Sequence, residues 1–329
     1  MKIKIPELSL VVMMGASGSG KSTFAARWFR PTEIVSSDTC RAIISNDENS
    51  LDASDDAFDL LHYIVKKRLK RGLLTIVDAT NVRPEDRARL VQLARECHVI
   101  PVAIVMNMPE QVCVNRNQER TDRSIPSHAI ISHVRQLKRG LGKLRMEGFR
   151  KIFELRSPED ADAVETIVRE PLWNNRKDEH GPFDIIGDIH GCYEELCTLL
   201  TTLGHTVDAD AHKVSVTNDR KLVFLGDLND RGPATPAVYK LVMNAVKEGT
   251  ALCVPGNHDM KLLKYLNGKE VQLVHGLEVT VAQLEKEEDT FKEELKTFLD
   301  GLISHYVLDD GKLVVAHAGL KEEMQGRGS

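Results

Sequence analysis

No run of 18 apolar residues occurs anywhere in the 329-residue sequence, so nothing in it reads as a membrane-spanning helix. The opening MKIKIPELSL lacks the long apolar core of a secretion signal. The six cysteines, Cys40, Cys97, Cys113, Cys192, Cys197 and Cys253, form no CxxC pair. A chain of this length needs no disulfide staples, so reduced thiols and a cytoplasmic location are expected. Internal repeats and low-complexity tracts are absent. So is any general excess of positive charge: 44 Lys and Arg stand against 49 Asp and Glu, a net −5, which argues against a generally basic nucleic-acid binder.

What is present is ordinary for a soluble globular protein, 42 % hydrophobic and 28 % charged. At about 100–200 residues per domain the length favours two domains. Charge is uneven along the chain. Asn115–Arg156 holds eleven Lys and Arg against four acids, and Glu285–Asp300 holds seven acids against three lysines. A local basic patch can bind polyanions even on an acidic protein, and a solvated helix face explains it equally well.

Short apolar runs alternate with amphipathic segments. Strands are expected at Leu8–Met14, Glu33–Ser36, Leu73–Ala79 and Val99–Met106. Helices are expected at Gly20–Phe29, Asp55–Lys70, Pro84–Cys97 and Pro158–Arg169. This βαβα order predicts an α/β domain over residues 1–170, a parallel sheet with helices on both faces. The polar, proline-bounded stretch 171–182 reads as a linker. A second βα series fills 183–329, with strands Phe183–Ile186, Lys221–Leu225 and Ala251–Val254 and helices Tyr193–Leu203 and Thr235–Lys247. A hairpin follows: His305–Leu308, a turn at Asp309–Gly311, then Lys312–Ala316.

The first chemical site is Gly15-Ala-Ser17-Gly18-Ser19-Gly20-Lys21-Ser22, a full GxxxxGK[ST] match followed by Thr23, between an apolar strand and a helix. Glycines let the backbone wrap phosphates with its N–H groups pointing inward, and the helix N-terminus adds a favourable dipole. Lys21 reaches the β/γ phosphates of ATP, and the Ser22 hydroxyl can ligate Mg²⁺. Ser36-Ser37-Asp38-Thr39-Cys40-Arg41 follows the second strand. There Asp38 can take a proton from an attacking hydroxyl, and Arg41 can hold an acceptor phosphate. Equally, Asp38 can be a helix N-cap. Arg116, Arg120 and Arg123 share a helical face and can close over phosphates from a mobile segment, or form a solvated face. Asp78, in Asp78-Ala-Thr-Asn81, can orient the Mg²⁺ shell or cap a strand.

These pieces together resemble the 5′-OH polynucleotide kinases, on the strength of the P-loop, SSDxxR, DATN and RNxxER segments. The resemblance implies that Asp38 is the general base, that Arg41 holds the 3′-phosphate flanking the attacked 5′-OH, and that Arg116 and Arg120 clamp the ATP phosphates.

Four polar clusters form the second site: Gly187-Asp188-Ile-His190-Gly191, Gly226-Asp227-Leu-Asn-Asp230-Arg231-Gly232, Gly256-Asn257-His258-Asp259, and His317. Each follows an expected strand, so they can converge on one sheet edge. Asp, His and Asn suit a pair of divalent ions with one carboxylate bridging, and such a pair activates water for phosphoryl chemistry. The pattern resembles the calcineurin-like metallophosphoesterases, nearest the serine/threonine phosphatase and dinucleoside tetraphosphatase branches. Carried over, Asp188 and His190 bind the first ion and Asp227 bridges. Asn257 and His317 bind the second ion, with Mn²⁺ the expected metal. His258, oriented by Asp230, protonates the leaving oxygen, and Arg231 holds the substrate phosphate. The family supplies one more His after this point. None occurs in the twelve residues after His317, so the phosphoesterase sandwich is expected to be partial and the chain a fragment.

Taken together, the two halves resemble the bacterial polynucleotide kinase–phosphatases of RNA repair. That resemblance implies RNA ends, with DNA ends as an alternative, as substrate. The kinase would make a 5′-phosphate, and the phosphatase would remove a 3′-phosphate or 2′,3′-cyclic phosphate. It further implies a ligase domain in the full-length protein, absent here for want of a KxDG motif, and an RNA 3′-terminal methyltransferase as partner. Two alternatives stay open: a small-metabolite kinase fused to a nucleotide or protein phosphatase, and a non-catalytic RNA-end binding scaffold.

Overall fold

Residues Leu10–Met14 contain no polar side chain, and such a run is stable as a strand only when both its faces are covered. In the computed structural model, which describes residues 1–120, 125–217 and 219–328, this segment is the middle of a five-stranded sheet. The chain divides into two units, Met1–Leu172 with Arg327–Ser329, and Trp173–Gly326. In the first unit the strands are β1 (Lys2–Pro6), β2 (Ser9–Met14), β3 (Ile34–Ser36), β4 (Thr75–Asp78), β5 (Ile100–Met106), β6 (Lys151–Leu155) and β7 (Thr166–Glu170). The helices are α1 (Lys21–Trp28), α2 (Ser37–Ser45), α3 (Ser54–Lys70), α4 (Pro84–Glu96), α5 (Glu110–Gln118), α6 (Ser127–Gly140), α7 (Leu144–Glu147) and α8 (Pro158–Asp162).

The large sheet runs β3-β4-β2-β5-β6, and all its pairings are parallel. Alternate residues of β2 enter two separate cores. Leu10, Val12 and Met14 pack with Leu61, Val65 and Leu69 of α3 and Leu90 and Val91 of α4. Val11 and Met13 pack with Phe24 and Ala25 of α1 and Ile130 and Val134 of α6. Helices therefore cover both faces, as the βα alternation predicts. Such burial contributes about 1.5–3 kcal/mol per large apolar side chain.

Two sequence expectations are corrected here. The helix expected over Pro158–Arg169 ends at Asp162, and Thr166–Glu170 is strand β7, paired in parallel with β1. Thr166, Ile167 and Val168 are all β-branched, which favours a strand, and β1 offers them a hydrogen-bonding partner some 160 residues away in sequence. The strand expected from Glu33 starts at Ile34, because Pro31–Glu33 forms a 3-10 turn. Glu33 is drawn instead into a bidentate pair with Arg169, at 2.8 Å for both contacts.

In the second unit the strands are β8 (Phe183–Ile186), β9 (Thr206–Asp208), β10 (Lys213–Ser215), β11 (Lys221–Phe224), β12 (Ala251–Cys253), β13 (His305–Leu308) and β14 (Leu313–Ala316). Its helices are α9 (Tyr193–Thr202), α10 (Thr235–Lys247), α11 (Asn257–Leu266), α12 (Leu277–Leu284) and α13 (Asp289–Gly301). A parallel sheet of order β12-β11-β8 carries α9, α10 and α11 on one face, where Leu222 and Phe224 meet Leu196, Val238 and Leu262. Its other face, through Val223 and Leu252, meets Tyr306, Leu308 and Val315 of the antiparallel hairpin β13–β14. Within the stretch expected to be a linker, Asn174–Glu179 runs alongside β13: Val307 N donates to Asn174 O at 2.8 Å and Arg176 N to Val307 O at 2.9 Å. Among the described residues no helix is long and apolar enough to cross a membrane.

Candidate functional sites

The phosphate-binding loop leaves β2 after Met14 and opens α1 at Lys21. Gly18 has φ 77°, and a Cβ there would sit 2.2 Å from the carbonyl oxygen of Cys113, so α5 approaches the loop as closely as only glycine permits. Lys21 is buried, its ammonium donating to Ala16 O at 3.0 Å. A cavity of about 520 Å³ opens above the loop. Ser17, Gly18, Gly20, Lys21, Ser22 and Thr23 line it, as do Asp38, Arg41, Asp78, Arg116 and Arg120. Gly15 and Ser19 do not. Ser19 is wholly buried beneath the loop, and Gly15 N donates to Thr80 O at 3.0 Å. Arg123 and Ser124, the latter in the expected mobile segment, lie outside the described residues.

Asp38 is not the helix cap. Ser36 caps α2, its hydroxyl accepting from Asp38 N at 3.2 Å. The Asp38 carboxylate lies on the cavity wall, about one-third exposed, and accepts from Arg41 Nη1 at 2.7 Å. Arg41 is buried and also donates to Glu48 O at 2.6 Å, while its Nε is buried without a partner. Asp78 ends β4 level with Ser36 and Met13 in the sheet register.

Two lining residues escaped the sequence reading. Phe58, in the first turns of α3, is the one phenylalanine, tyrosine or tryptophan among the lining residues. His133, on α6, has its Nδ1 buried without a partner. Burial first, then the charges of Lys21 and Arg83, lower its pKa, which keeps the imidazole neutral at pH 7. Nothing in a single helical period marks either residue. A third feature lies behind the cavity. Arg87 of α4 is fully buried, makes two 2.7 Å bonds to Glu147, and donates to the carbonyls of Asn81 (3.1 Å) and Val82 (2.9 Å). Asn81 in turn donates to Met13 O at 2.8 Å. The Asp78–Asn81 loop and the start of the phosphate loop are thus held from the rear.

In the second unit the four polar clusters converge at the strand ends. His190, Asp227 and His258 form one group of potential ligand atoms, and Asp188, Asp227 and His317 another, each within 4.8 Å. Asp227 belongs to both. Asp188 reaches both histidines, 3.9 Å from His190 Nε2 and 3.9 Å from His317 Nδ1. The outer ring nitrogens are committed: His190 Nδ1 donates to Asn229 O at 2.8 Å and His317 Nδ1 to Leu225 O at 2.7 Å. In the neutral ring each Nε2 then offers a lone pair to a metal. His317 Nε2 sits 3.2 Å from Asn257 Oδ1 and 3.4 Å from Asp227 Oδ2. With the ring neutral, three acceptor atoms face one another there, an arrangement that a divalent cation resolves. The donor set therefore fits divalent cations.

His258, in the first ligand group, differs from the other two histidines in being held by a carboxylate instead of a main-chain carbonyl. Its Nδ1 donates to the buried Asp230 carboxylate at 2.5 Å, and its Nε2 lies 4.0 Å from Asp227. Asp230 is fixed by Asn229 Nδ2 (2.7 Å) and the Thr280 hydroxyl (2.8 Å). Arg231 is exposed beside it. The residue that holds the loops is Asp259, to which the sequence reading gave no role. Its buried carboxylate accepts from Asp227 N (2.7 Å), Leu228 N (3.2 Å), Gly256 N (2.7 Å) and the Tyr239 hydroxyl (2.7 Å). The position within GNHD was visible in the sequence, but three of its four donors come from two other segments, the Asp227–Leu228 loop and α10.

Comparison with known proteins agrees with this geometry at the level of domains. A family model described as an AAA domain matches residues 10–144, and one described as calcineurin-like phosphoesterase matches residues 181–327. The bis(5′-nucleosyl)-tetraphosphatase PrpE [asymmetrical] of Anoxybacillus flavithermus is 42 % identical over 151 residues, 44 % of this chain and 60 % of that protein. The Bacillus subtilis protein of the same name is 41 % identical over 150 residues, again 44 % and 60 %. The chain thus spans about three-fifths of the length of these curated relatives. A chain in the solved Pnkp1/Rnl/Hen1 RNA repair complex aligns over 93 % of this chain and 89 % of its own length, at 17 % identity and a TM-score of 0.38. By sites and family models together, the chain joins a P-loop kinase-like domain to a calcineurin-like metallophosphoesterase domain, both of them enzyme domains.

Proposed function

We propose that this chain heals RNA ends, phosphorylating 5′-hydroxyls with ATP in its first unit and removing 3′-phosphate or 2′,3′-cyclic phosphate in its second. One observation carries the kinase half: the Asp38 carboxylate shares a cavity wall with Lys21, Ser22, Arg116 and Arg120. An attacking hydroxyl placed between them gives its proton to Asp38. Lys21 and the two arginines face the charge that develops on the transferred phosphoryl group. Arg41 steadies Asp38 and lines the same cavity, where its guanidinium would hold an acceptor phosphate. Ser22 would hold Mg²⁺ together with the nucleotide, and the ion would supply charge neutralisation for phosphoryl transfer. Asp38→Ala should lower the rate on a 5′-OH oligonucleotide at least ~10²-fold and leave ATP affinity near normal. A near-normal rate removes Asp38 as base. Equal rates on a panel of small metabolite alcohols would favour the metabolite-kinase alternative.

In the second unit, Asp188, His190, Asp227, Asn257 and His317 would hold two divalent ions, which supply Lewis acidity and an activated water when bound. With its ring protonated on both nitrogens and Nδ1–H held by the Asp230 carboxylate, His258 gives the Nε2 proton to the leaving oxygen. Arg231 holds the phosphate. A second reading of this unit is favoured by the relatives' names: cleavage of a dinucleoside tetraphosphate. Hydrolysis of RNA 3′-phosphate and of dinucleoside tetraphosphate, compared at equal concentration, separates the two.

A further inference from the structure

A second cavity, of about 390 Å³, lies at the opposite edge of the first unit's sheet. The register fixes its place. Ile100, which lines it, pairs with Ser9 at the start of β2, whereas the phosphate loop leaves β2 after Met14. At ~3.3 Å per residue, about 17 Å of strand separates the two.

Three arginines surround this cavity: Arg95 from the last turn of α4, Arg145 from α7 and Arg150 just before β6. His98 joins them, and no acidic side chain lines the space. Among the described residues, none of the three guanidinium groups makes a hydrogen bond or ion pair. The nearby carboxylates are engaged elsewhere. Glu96 accepts from Lys66 at 3.0 Å and Gln92 at 3.1 Å, and Glu147 is bound to Arg87. Gly148, at φ 117°, lets the Arg95 guanidinium lie against the main chain, since a Cβ there would be 2.6 Å from Arg95 Nη2. Helix C-termini favour Arg95 and Arg145 where they start, but that does not turn them into the same hollow as Arg150. Val99, Pro101 and the largely exposed Met146 give the cavity an apolar side.

Gathering three like charges without counter-charge is unfavourable unless an anion completes the site. Guanidinium forks match phosphate oxygens two at a time, and the apolar side suits a ribose or base face. We propose that this cavity is a nucleotide-phosphate site, remote from the ATP cavity. Its ligand is a phosphodiester of a nucleic-acid strand or a free mononucleotide. The proposal does not depend on what the kinase phosphorylates.

The test uses this chain and its triple variant Arg95→Gln, Arg145→Gln, Arg150→Gln, with Arg150→Gln alone as a milder companion. The probe is a labelled single-stranded RNA that already bears a 5′-phosphate and so is no kinase acceptor. Binding is followed by anisotropy across a salt series. Three phosphate contacts at ~0.7 each predict that the slope of log K against log salt falls by about 2 in the triple variant. The single variant should lose about a third of that. Adenosine monophosphate, followed by thermal shift, is the second arm. Loss of strand binding assigns the site to a nucleic-acid backbone, and loss confined to the mononucleotide assigns it to a free nucleotide. Unchanged affinity and slope in both arms overturn the proposal. ATP consumption on a short 5′-OH acceptor should be unchanged in either variant, which separates failure of this site from failure of the kinase reading or of folding.

Discussion

Replacing Glu147 by glutamine keeps the side chain's shape and removes the countercharge of a guanidinium that no solvent reaches. Arg87 is 0 % exposed and makes its two 2.7 Å bonds to the Glu147 oxygens. Glutamine offers one acceptor in place of two and no charge. Removing one partner of a buried ion pair costs about 3–5 kcal/mol. Glu147 itself is 17 % exposed, so some solvent reaches the pair and the lower end applies, about 3 kcal/mol. At roughly 2–4 °C per kcal/mol for a unit of this size, the melting temperature of the first unit should fall by about 6–12 °C. Thermal and urea unfolding, followed by circular dichroism, measure it. The loss should also reach nucleotide binding. Arg87 holds the carbonyls of Asn81 and Val82, and Thr80 O accepts from Gly15 N at 3.0 Å, so KM for ATP should rise. The double variant Arg87→Met, Glu147→Leu removes both charges and should recover at least half of the stability. A Glu147→Gln protein within about 1 kcal/mol of the parent would refute the argument, because the pair would then carry neither stability nor loop geometry.

His258→Asn should lower hydrolysis of an alkyl phosphate ester by about 10²-fold or more, and of p-nitrophenyl phosphate much less, since only the alkoxide needs a proton to leave. Equal losses on both esters would count against a proton-donor role. Asp184 is held below the usual carboxylate range by its hydrogen bonds to Arg220, with His205 adding to the effect. Its folded pKa is depressed, so its contribution is present above the unfolded value near ~3.9 and is lost as pH falls through the folded one. Arg220→Gln should therefore be less stable than the parent at pH 7, with the gap closing below about pH 4 in urea titrations. A gap that persists at low pH would show that Arg220 acts by packing instead.

Local patterns carried the fold class. The apolar run at Leu10–Met14 and the amphipathic spacing of Leu61, Val65 and Leu69 are enough to require a sheet covered on both faces. The alternation in Lys2-Ile3-Lys4-Ile5 also predicts a strand with Ile3 and Ile5 inward, a signal that the polar start of the chain concealed. Its partner β7 was not legible, because five short residues read as a helical continuation until a strand some 160 positions away pairs with them. The same limit applied to the sites. GxxxxGK[ST] and the GDxHG and GNHD clusters are contiguous, and contiguous residues can be recognised singly. The Arg87–Glu147 pair spans 60 residues, and no composition or period links its two members. Whether Asp38 was a cap or faced the cavity depended on Ser36 taking the capping bond, a competition between neighbours that the sequence leaves balanced.

The phosphoesterase site shows why such distant contacts matter to chemistry. His190, Asp227, Asp230 and Arg231 all have positive φ, 48°, 50°, 74° and 64°, a conformation costly for residues with a Cβ. Strain of that kind persists only where surrounding contacts over-determine it. Here Asp259 ties the Asp227 and Leu228 amides to Gly256, and Gly256 leaves no room for a side chain, since a Cβ there would lie 2.0 Å from Asp227 Oδ1. The carboxylate shared by both ligand groups is therefore placed by residue 259, which binds no metal in the assignment above. Four strand ends deliver the ligand types, but a single buried acceptor fixes the Asp227 loop against Gly256, and that placement bears on whether one carboxylate can serve two ions.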